Sequence, residues 1–286
     1  DVCSSDLFDA TLGYGGHSLE ILRKLQPSGI LYATDVDPVE MPKTVERFAK
    51  QGFGEDTFVA KRMNFAGIDR VVAESGPFDF VLADLGVSSM QIDNPARGFS
   101  FKLEGPLDLR LNPSKGKPAS ALLKKYTQEE LEELFTEYSD EPFSAQISKA
   151  IHSAFSKGNE IDTTTKLREV IANALAYRSQ QNRKDDIKKA CQRCFQALRI
   201  AVNDEFNVLD EFLDKLPDAL KPGGRVAILT FHSGEDRRVK KSFQQLYRLG
   251  IYCDVAPEPI RPGAEECFSN PRARSAKLRW AVKTRD

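Results

Sequence analysis

The stretch FDATLGYGGHS, residues 8–18, decides how the rest of the chain is read. FDATL has the apolar run of a buried strand, and SLEILRKL (18–25) has the apolar spacing of a helix. Between them stand Gly13, Gly15 and Gly16, with His17 at the helix start. Glycine adopts backbone conformations closed to other residues and lets a ligand approach the main chain closely. An ordinary tight turn is the competing reading. A strand, a glycine turn and a helix in that order predict an α/β sheet that holds its ligand at the carboxyl ends of the strands.

Working outward, ILYATDVD (30–37) reads as the next strand, and its Asp35 lies 20 residues beyond Gly15. An acid at that place accepts hydrogen bonds from a ribose diol. The glycine turn and this acid together fit either a dinucleotide or S-adenosylmethionine. FDFVLADLGVSS (78–89) supplies a strongly buried strand that ends on Asp84. Hydride transfer has no special need of an acid-Leu-Gly turn there, whereas methylation of an exocyclic amine does. The lone pair of such an amine is delocalised into its ring, and a carboxylate accepting its N–H bonds favours the attacking form as charge develops. In-line placement of nitrogen, methyl and sulfonium is then a matter of positioning. A helix-capping role for Asp84 is the bland alternative.

Strands separated by helices imply a mostly parallel sheet with right-handed crossovers. The pattern changes near Gly105 and stays helical and charged to about Leu198. These boundaries predict an α/β domain from 1–105 and 198–286 and a helical insert over 106–197. Within the insert, Thr127 with Glu130 forms a capping box, Thr163–Thr165 starts a helix, and SQQNRKDD (179–186) reads as an exposed loop. After it, KPGG (221–224) reads as a turn before the strand RVAILTF, and Ser233 as the cap of the next helix, with Asp236 three residues on. VAPEPIRP (255–262) and KLRWAVKT (277–284) are expected to close the sheet edge as antiparallel strands.

Composition narrows the classes. The chain has 286 residues, 41% hydrophobic and 29% charged, as in an ordinary soluble globular protein. No apolar run reaches a membrane span, so no membrane partner is expected. Net charge is −1, so any nucleic-acid footprint must be a local patch. Five cysteines without a framework suit a reducing compartment, and Cys191 and Cys194 read as helix-packed thiols rather than a zinc site. No metal is expected. In QIDNPARGFSFKLEGPLDLRL (91–111), Phe99 and Phe101 alternate at strand spacing, with Arg97, Lys102 and Arg110 interleaved. Aromatics beside basic residues suit a flipped base and its phosphates, although such phenylalanines equally suit a core.

The segments DATLGYGGHS, DLGVSSMQID, RGFSF, GPLDLRL, FQALRIAVNDE, KPGGR, FHSGEDR and NPRARS run in order from Asp9 to Ser275. Together they resemble the RsmH (MraW) family of S-adenosylmethionine-dependent enzymes, which methylate N4 of a cytosine in the decoding region of small-subunit ribosomal RNA. The resemblance implies a class I methyltransferase Rossmann-like domain carrying a helical substrate-binding insert. It puts cofactor contacts on Gly13, Gly15, Gly16, His17, Asp35, Phe65, Asp84 and Gln91. Phe65 would flank the adenine, Asp35 would hold the ribose, and Asp84 would serve both cofactor and catalysis. Substrate contacts would fall on Arg97, Phe99, Phe101, Asp108, Arg110, His232, Arg272 and Arg274. The implied partner is small-subunit rRNA in an assembled or late-assembly subunit, in the cytoplasm, or in an organellar matrix or stroma for a eukaryotic source. A homodimer stays open. Another nucleic-acid amino methyltransferase, a nicotinamide dehydrogenase and a non-catalytic ribosome-assembly factor are the competing functions.

Two departures from the family pattern stand out. Gly234 replaces a usual leucine in FHSGEDR, which is expected to loosen a packing contact. EYSDEPFS (137–144) replaces a glycine-glutamate-glutamate run and its following basic residue, leaving RNA contacts there open. The opening septet DVCSSDL has no element of its own and back-translates to a common sequencing-library adapter. The expectation is that native protein begins near Phe8, that Cys3 has no redox meaning, and that the strand before Gly13 lacks its natural lead-in.

Overall fold

A computed structural model describes residues 5–25 and 29–285. Among the described residues, seven strands form one sheet: β1 (Ser5–Asp9), β2 (Gly29–Asp35), β3 (Phe58–Arg62), β4 (Phe78–Asp84), β5 (Leu220–Thr230), β6 (Tyr252–Val255) and β7 (Lys277–Lys283). Their spatial order is β3-β2-β1-β4-β5-β7-β6. The first five run parallel, and β7 runs antiparallel to both β5 and β6. This is the mostly parallel, methyltransferase-like sheet expected from the sequence. The order reverses between β1 and β4, so the carboxyl ends of those two strands flank the crevice where such sheets take ligands.

Successive strand residues point to opposite faces, and β1 feeds two separate cores in this way. Phe8 stacks on Phe78, ring centroids 5.2 Å apart, in a cluster with Val81, Phe212 and Ile228. Leu7 packs with Leu22, Leu31 and Phe48 in the other.

The described chain divides into two compact units. One comprises the residues up to Gly86 together with those from Phe206 onward; the other is Val87–Glu205. The second unit is helical, with helices Ala119–Lys125, Gln128–Ser139, Ser144–Ser156, Thr164–Ala174 and Gln180–Asn203 around Leu123, Phe135, Ile151, Leu167, Ile171 and Leu198. The expected insert 106–197 lies inside it. Its core also takes in Phe99 and Phe101 on one side and Leu198, Ala201 and Val202 on the other, which carries the unit beyond those bounds. Cys191 and Cys194 are fully buried in that core. Burial pushes the Cys191 thiol up to about 12 and the Cys194 thiol well above its ordinary value, leaving both thiols protonated and inert.

Several local expectations need correction. SQQNRKDD is not a loop: from Gln180 it is the first part of a 24-residue helix. The run is polar, but Arg178 Nε donates to Asp186 at 2.9 Å and Arg183 to the carbonyl of Arg178, anchoring the helix start. KPGG is not a free turn. It lies within β5 as an irregularity, where the pairing steps from Phe78–Leu220 to Phe80–Arg225. VAPEPIRP contributes only Val255 to a strand, plus one bridge from Ile260 to Leu278, because its three prolines cannot donate to a ladder. Of the opening septet, residues 1–4 lie outside the described residues, and Ser5–Leu7 do have an element. As part of β1 they pair with Gly29–Leu31 of β2, and Asp79 accepts the Asp6 N–H at 2.8 Å. Main-chain ladder bonds form irrespective of side chain, so a polar Ser-Asp lead does not prevent the strand.

Candidate active site

The site is built from the exits of β1, β2 and β4. Asp9, 1% exposed, ends β1 and accepts from the Thr11 N–H at 3.0 Å and from the Ser18 hydroxyl at 2.5 Å. Burial raises its carboxyl above the usual range against those two bonds. The Thr11 hydroxyl in turn accepts the main-chain N–H of Asp84 at 2.7 Å, and the Ala10 N–H donates to the Leu82 carbonyl at 2.8 Å. The start of the glycine turn is thereby tied to the end of β4. Gly13 and Gly15 hold φ of 48° and 76°, left-handed values that suit glycine.

The Asp35 carboxylate turns back onto this turn. One oxygen accepts the Gly13 N–H at 2.7 Å and the other the Asp37 N–H at 2.8 Å. Its pKa is raised by burial, opposed by those bonds. Asp84 Oδ2 lies 3.4 Å from His17 Nε2, and Asp84 Oδ1 is buried with no hydrogen-bond partner among the described residues. The His17 imidazole is pushed above its ordinary value by its bond to Asp84, against partial burial. Phe65 follows β3 as the first residue of a short 3-10 turn whose cap, Asn64, accepts the Ala66 N–H at 3.0 Å. Its ring meets Phe212 edge-on at 5.1 Å.

These contacts gather Gly13, Gly15, Gly16, His17, Asp35 and Asp84 at adjoining strand ends, with Phe65 at the exit of β3. A Cβ on Gly15 would fall 2.5 Å from Phe48 Cζ, whereas one on Gly16 would meet nothing within 4 Å. Protein fills the space behind the first glycine and leaves the second open. Open space at a helix N-terminus, a strand-end acid and an orphaned buried carboxylate oxygen fit S-adenosylmethionine, which brings a ribose diol and an ammonium group.

The remaining expected residues divide between the units. In the helical unit, Gln91 is buried and shares a capping box with Ser88: its Oε1 accepts the Ser88 N–H at 2.9 Å. Arg97 is buried, donates to the carbonyls of Arg110 at 3.1 Å and Leu111 at 2.8 Å, and reaches over the Phe99 ring at 5.7 Å. Phe99 and Phe101 do not form a strand; the chain bends there, and Phe101 packs on Phe195 at 5.6 Å. Arg110 grips Asp108 through Nε and Nη2, both at 2.7 Å. Burial works to raise Asp108, but the bonds from Arg110 outweigh it and hold the carboxyl below its usual range.

In the sheet unit, His232 rather than Ser233 caps the helix Ser233–Arg248, its Nδ1 accepting the Glu235 N–H at 3.4 Å. Asp236 there pairs with Arg279 at 2.7 Å and Lys277 at 2.9 Å; burial opposes its ionisation, and the two bases override it. Gly234 does not loosen the packing: a Cβ there would meet Phe206 Cζ at 2.6 Å, so the Phe206 ring already fills the place. Arg272 and Arg274 are both exposed on the 3-10 turn Pro271–Ser275.

Sequence reasoning assigned no role to Asp9, Thr11, Ser18 or Asn203. Asn203 holds the GPLDLRL segment, accepting from Leu111 N–H at 2.7 Å and donating to the Leu109 carbonyl at 2.8 Å. All four lie inside quoted family segments, which was the available signal. Among the described residues, no helix is long and apolar enough to cross a membrane.

The MraW methylase family matches residues 4–284 of the chain. The chain is 62% identical over 275 residues to ribosomal RNA small subunit methyltransferase H 2 of Alkaliphilus metalliredigens, covering 96% of this chain and 79% of that protein. It is likewise 62% identical over 275 residues to ribosomal RNA small subunit methyltransferase H 1 of Lachnoclostridium phytofermentans, at 96% and 75% coverage. A solved structure of a putative rRNA methylase from Clostridium thermocellum aligns with a TM-score of 0.46 and 10% identity over 98% of this chain and 88% of that one.

Proposed function

Because the chain belongs to the MraW methylase family, we infer that it works as its relatives are named, as a methyltransferase of small-subunit ribosomal RNA. It transfers the methyl group of S-adenosylmethionine to the exocyclic N4 of a cytosine. The observation that carries the chemistry is Asp84, whose Oδ1 is a buried acceptor without a partner among the described residues, at the carboxyl end of β4.

S-adenosylmethionine supplies an electrophilic methyl on its sulfonium. Asp35 is the residue for the ribose hydroxyls, because its oxygens keep lone pairs beyond the two main-chain bonds they accept. Phe65 offers a half-buried ring to the adenine, braced from behind by Phe212. Gly16 and His17 present the first N–H groups of the helix Gly16–Leu25, which have no partner within it, while Gly15, its N–H donated to the Leu12 carbonyl at 2.7 Å, turns the chain into that helix. Asp84 Oδ1 accepts an N–H of the cytosine amine and orients its lone pair, while His17 holds the other oxygen. The proton lost from nitrogen leaves to solvent. In the helical unit, the segment carrying Arg97, Phe99, Phe101, Asp108 and Arg110 serves the RNA, as do His232, Arg272 and Arg274 in the sheet unit.

The proposed substrate is the assembled or late-assembly small subunit, which puts the enzyme where ribosomes are built: the cytoplasm, or an organellar matrix or stroma for a eukaryotic source. Labelled cofactor incubated with small-subunit particles and with free rRNA, followed by nucleoside analysis, tests substrate and product together. N4-methylcytidine appearing only from particles is expected. Label at another position, or none, overturns the reading. Calorimetry provides the complementary check: binding of NAD in place of S-adenosylmethionine would favour a dehydrogenase. Sedimentation at working concentration decides whether the enzyme acts as a homodimer.

A further inference from the structure

We propose that the helix Glu40–Ala49 is a clamp that sets the glycine turn for cofactor binding, with Thr44 and Arg47 as positioning residues. The proposal rests on the reading of that turn as the cofactor site.

Residues 44, 47 and 48 stand at i, i+3 and i+4 and therefore share one helix face. All three act on the turn. The Thr44 hydroxyl donates to the Gly13 carbonyl at 2.8 Å. Arg47 Nη2 donates to the next carbonyl, that of Tyr14, and its guanidinium lies 3.7 Å from the Tyr14 ring centroid. Phe48 and Thr44 sit directly behind Gly15, where a Cβ would come within 2.5 and 2.8 Å of them.

Apolar packing alone would be enough to seat this helix, since Met41 and Phe48 are buried in the local core. It would not account for two polar side chains spent on two successive carbonyls of the same turn. A peptide unit is planar and trans, so fixing its carbonyl also fixes the direction of the following N–H. Thr44 and Arg47 thus set the planes of Gly13–Tyr14 and Tyr14–Gly15, immediately before the helix whose leading N–H groups face the cofactor. Asp35 is coupled to the same device, because the Gly13 N–H it accepts belongs to the residue whose carbonyl Thr44 holds. An arrangement fixed before binding spares the ligand the cost of ordering it.

The test uses the full chain with Thr44→Val, Thr44→Ser and Arg47→Met, titrated by calorimetry with S-adenosylhomocysteine and assayed with small-subunit particles. Thr44→Val and Arg47→Met are each expected to weaken binding about tenfold, the scale of one lost polar contact. The same loss should appear in KM for S-adenosylmethionine far more than in kcat, with Tm within a few degrees of the parent. Thr44→Ser, which keeps the hydroxyl, should restore affinity. Parental affinity in both Thr44→Val and Arg47→Met would overturn the clamp, as would a loss of affinity tracking a loss of folded protein. A parent chain that binds neither ligand would instead overturn the cofactor reading itself.

Discussion

Asp84→Ala separates a chemical role for this carboxylate from a structural one. The substitution removes a buried oxygen that has no protein partner and a second oxygen 3.4 Å from His17 Nε2. It leaves the main-chain N–H of residue 84 on the Thr11 hydroxyl and the β4–β5 ladder intact, so the fold should survive. Losing one positioned acceptor in an active site typically costs about 10²–10³ in kcat, roughly 3–4 kcal/mol of transition-state stabilisation. Single-turnover methyl transfer to small-subunit particles at saturating cofactor measures that loss. The second readout is His17. Its pKa is raised by the bond to Asp84, so in Asp84→Ala it should fall back toward the ordinary imidazole value, followed by NMR in a chain with only three histidines. The raised pKa also gives a direction to stability. The contribution of His17 is fully present below the ordinary imidazole value and is lost as pH rises through the raised one. Over the same window Asp84 is released from imidazolium, so activity should climb while stability declines, and both slopes should vanish in the variant. Near-parental turnover would refute the role of Asp84. Lost turnover with an unchanged His17 titration would refute the coupling between the two side chains.

The paired glycines make a second prediction. Gly15→Ala combines a left-handed φ with a 2.5 Å approach to Phe48 and should cost roughly 2–4 kcal/mol of stability, read as a lowered Tm. Gly16→Ala meets no atom within 4 Å and should keep Tm while losing cofactor affinity in calorimetry; unchanged affinity would remove Gly16 from the site. Phe65→Ala should weaken S-adenosylmethionine about tenfold with a smaller stability loss from the broken Phe212 contact, and an unchanged Kd would exclude the ring from adenine binding. In filter binding to RNA across a salt series, Arg274→Ala should lower the slope of log K against log salt by about one. Arg97→Ala should weaken binding with the slope unchanged, because its guanidinium is spent on carbonyls; a full unit lost there would show a phosphate contact.

What could be read in the sequence followed from periodicity and caps. The strand-turn-helix at Phe8–Ser18, the Thr127–Glu130 capping box and the Thr163 cap all rest on interactions between residues a few positions apart, and all are present. The misreadings share a different cause. SQQNRKDD reads as a loop by its polarity, yet Gln, Arg and Lys are good helix formers and the start is anchored by contacts to Ala176 and Arg178. The β5 irregularity depends on β4, and the contact of Gly234 depends on Phe206, 28 positions away. The network of Asp9, Thr11 and Ser18 was hidden for the same reason. Thr11 matters because of Asp84, and no pattern within DATLGYGGHS states that.

The basic residues of the helical unit show why charge in a sequence is a weak guide to phosphate. Arg97 and Arg110 stood among the aromatics of a segment read as an RNA contact. Arg97 is buried and holds two carbonyls, while Arg110 commits its fork to Asp108 and a further N–H to the Gly116 carbonyl at 3.1 Å. A guanidinium already bidentate on a carboxylate must break that pair to take a phosphate in the same way. What the two arginines produce is a shaped loop. Leu109, between Asp108 and Arg110, is buried with φ at 62°, a left-handed state that costs a leucine about 1–3 kcal/mol and persists only where the surroundings over-determine it. Here they do: Arg97 supplies its carbonyl to the Leu109 N–H, and Asn203 takes the Leu109 carbonyl. Those two bonds hold the strained Leu109 backbone in place. On the proposed reading of residues 97–111 as an RNA contact, affinity is expected to come from the surface this loop presents rather than from the net charge of its arginines, whose guanidiniums are already committed.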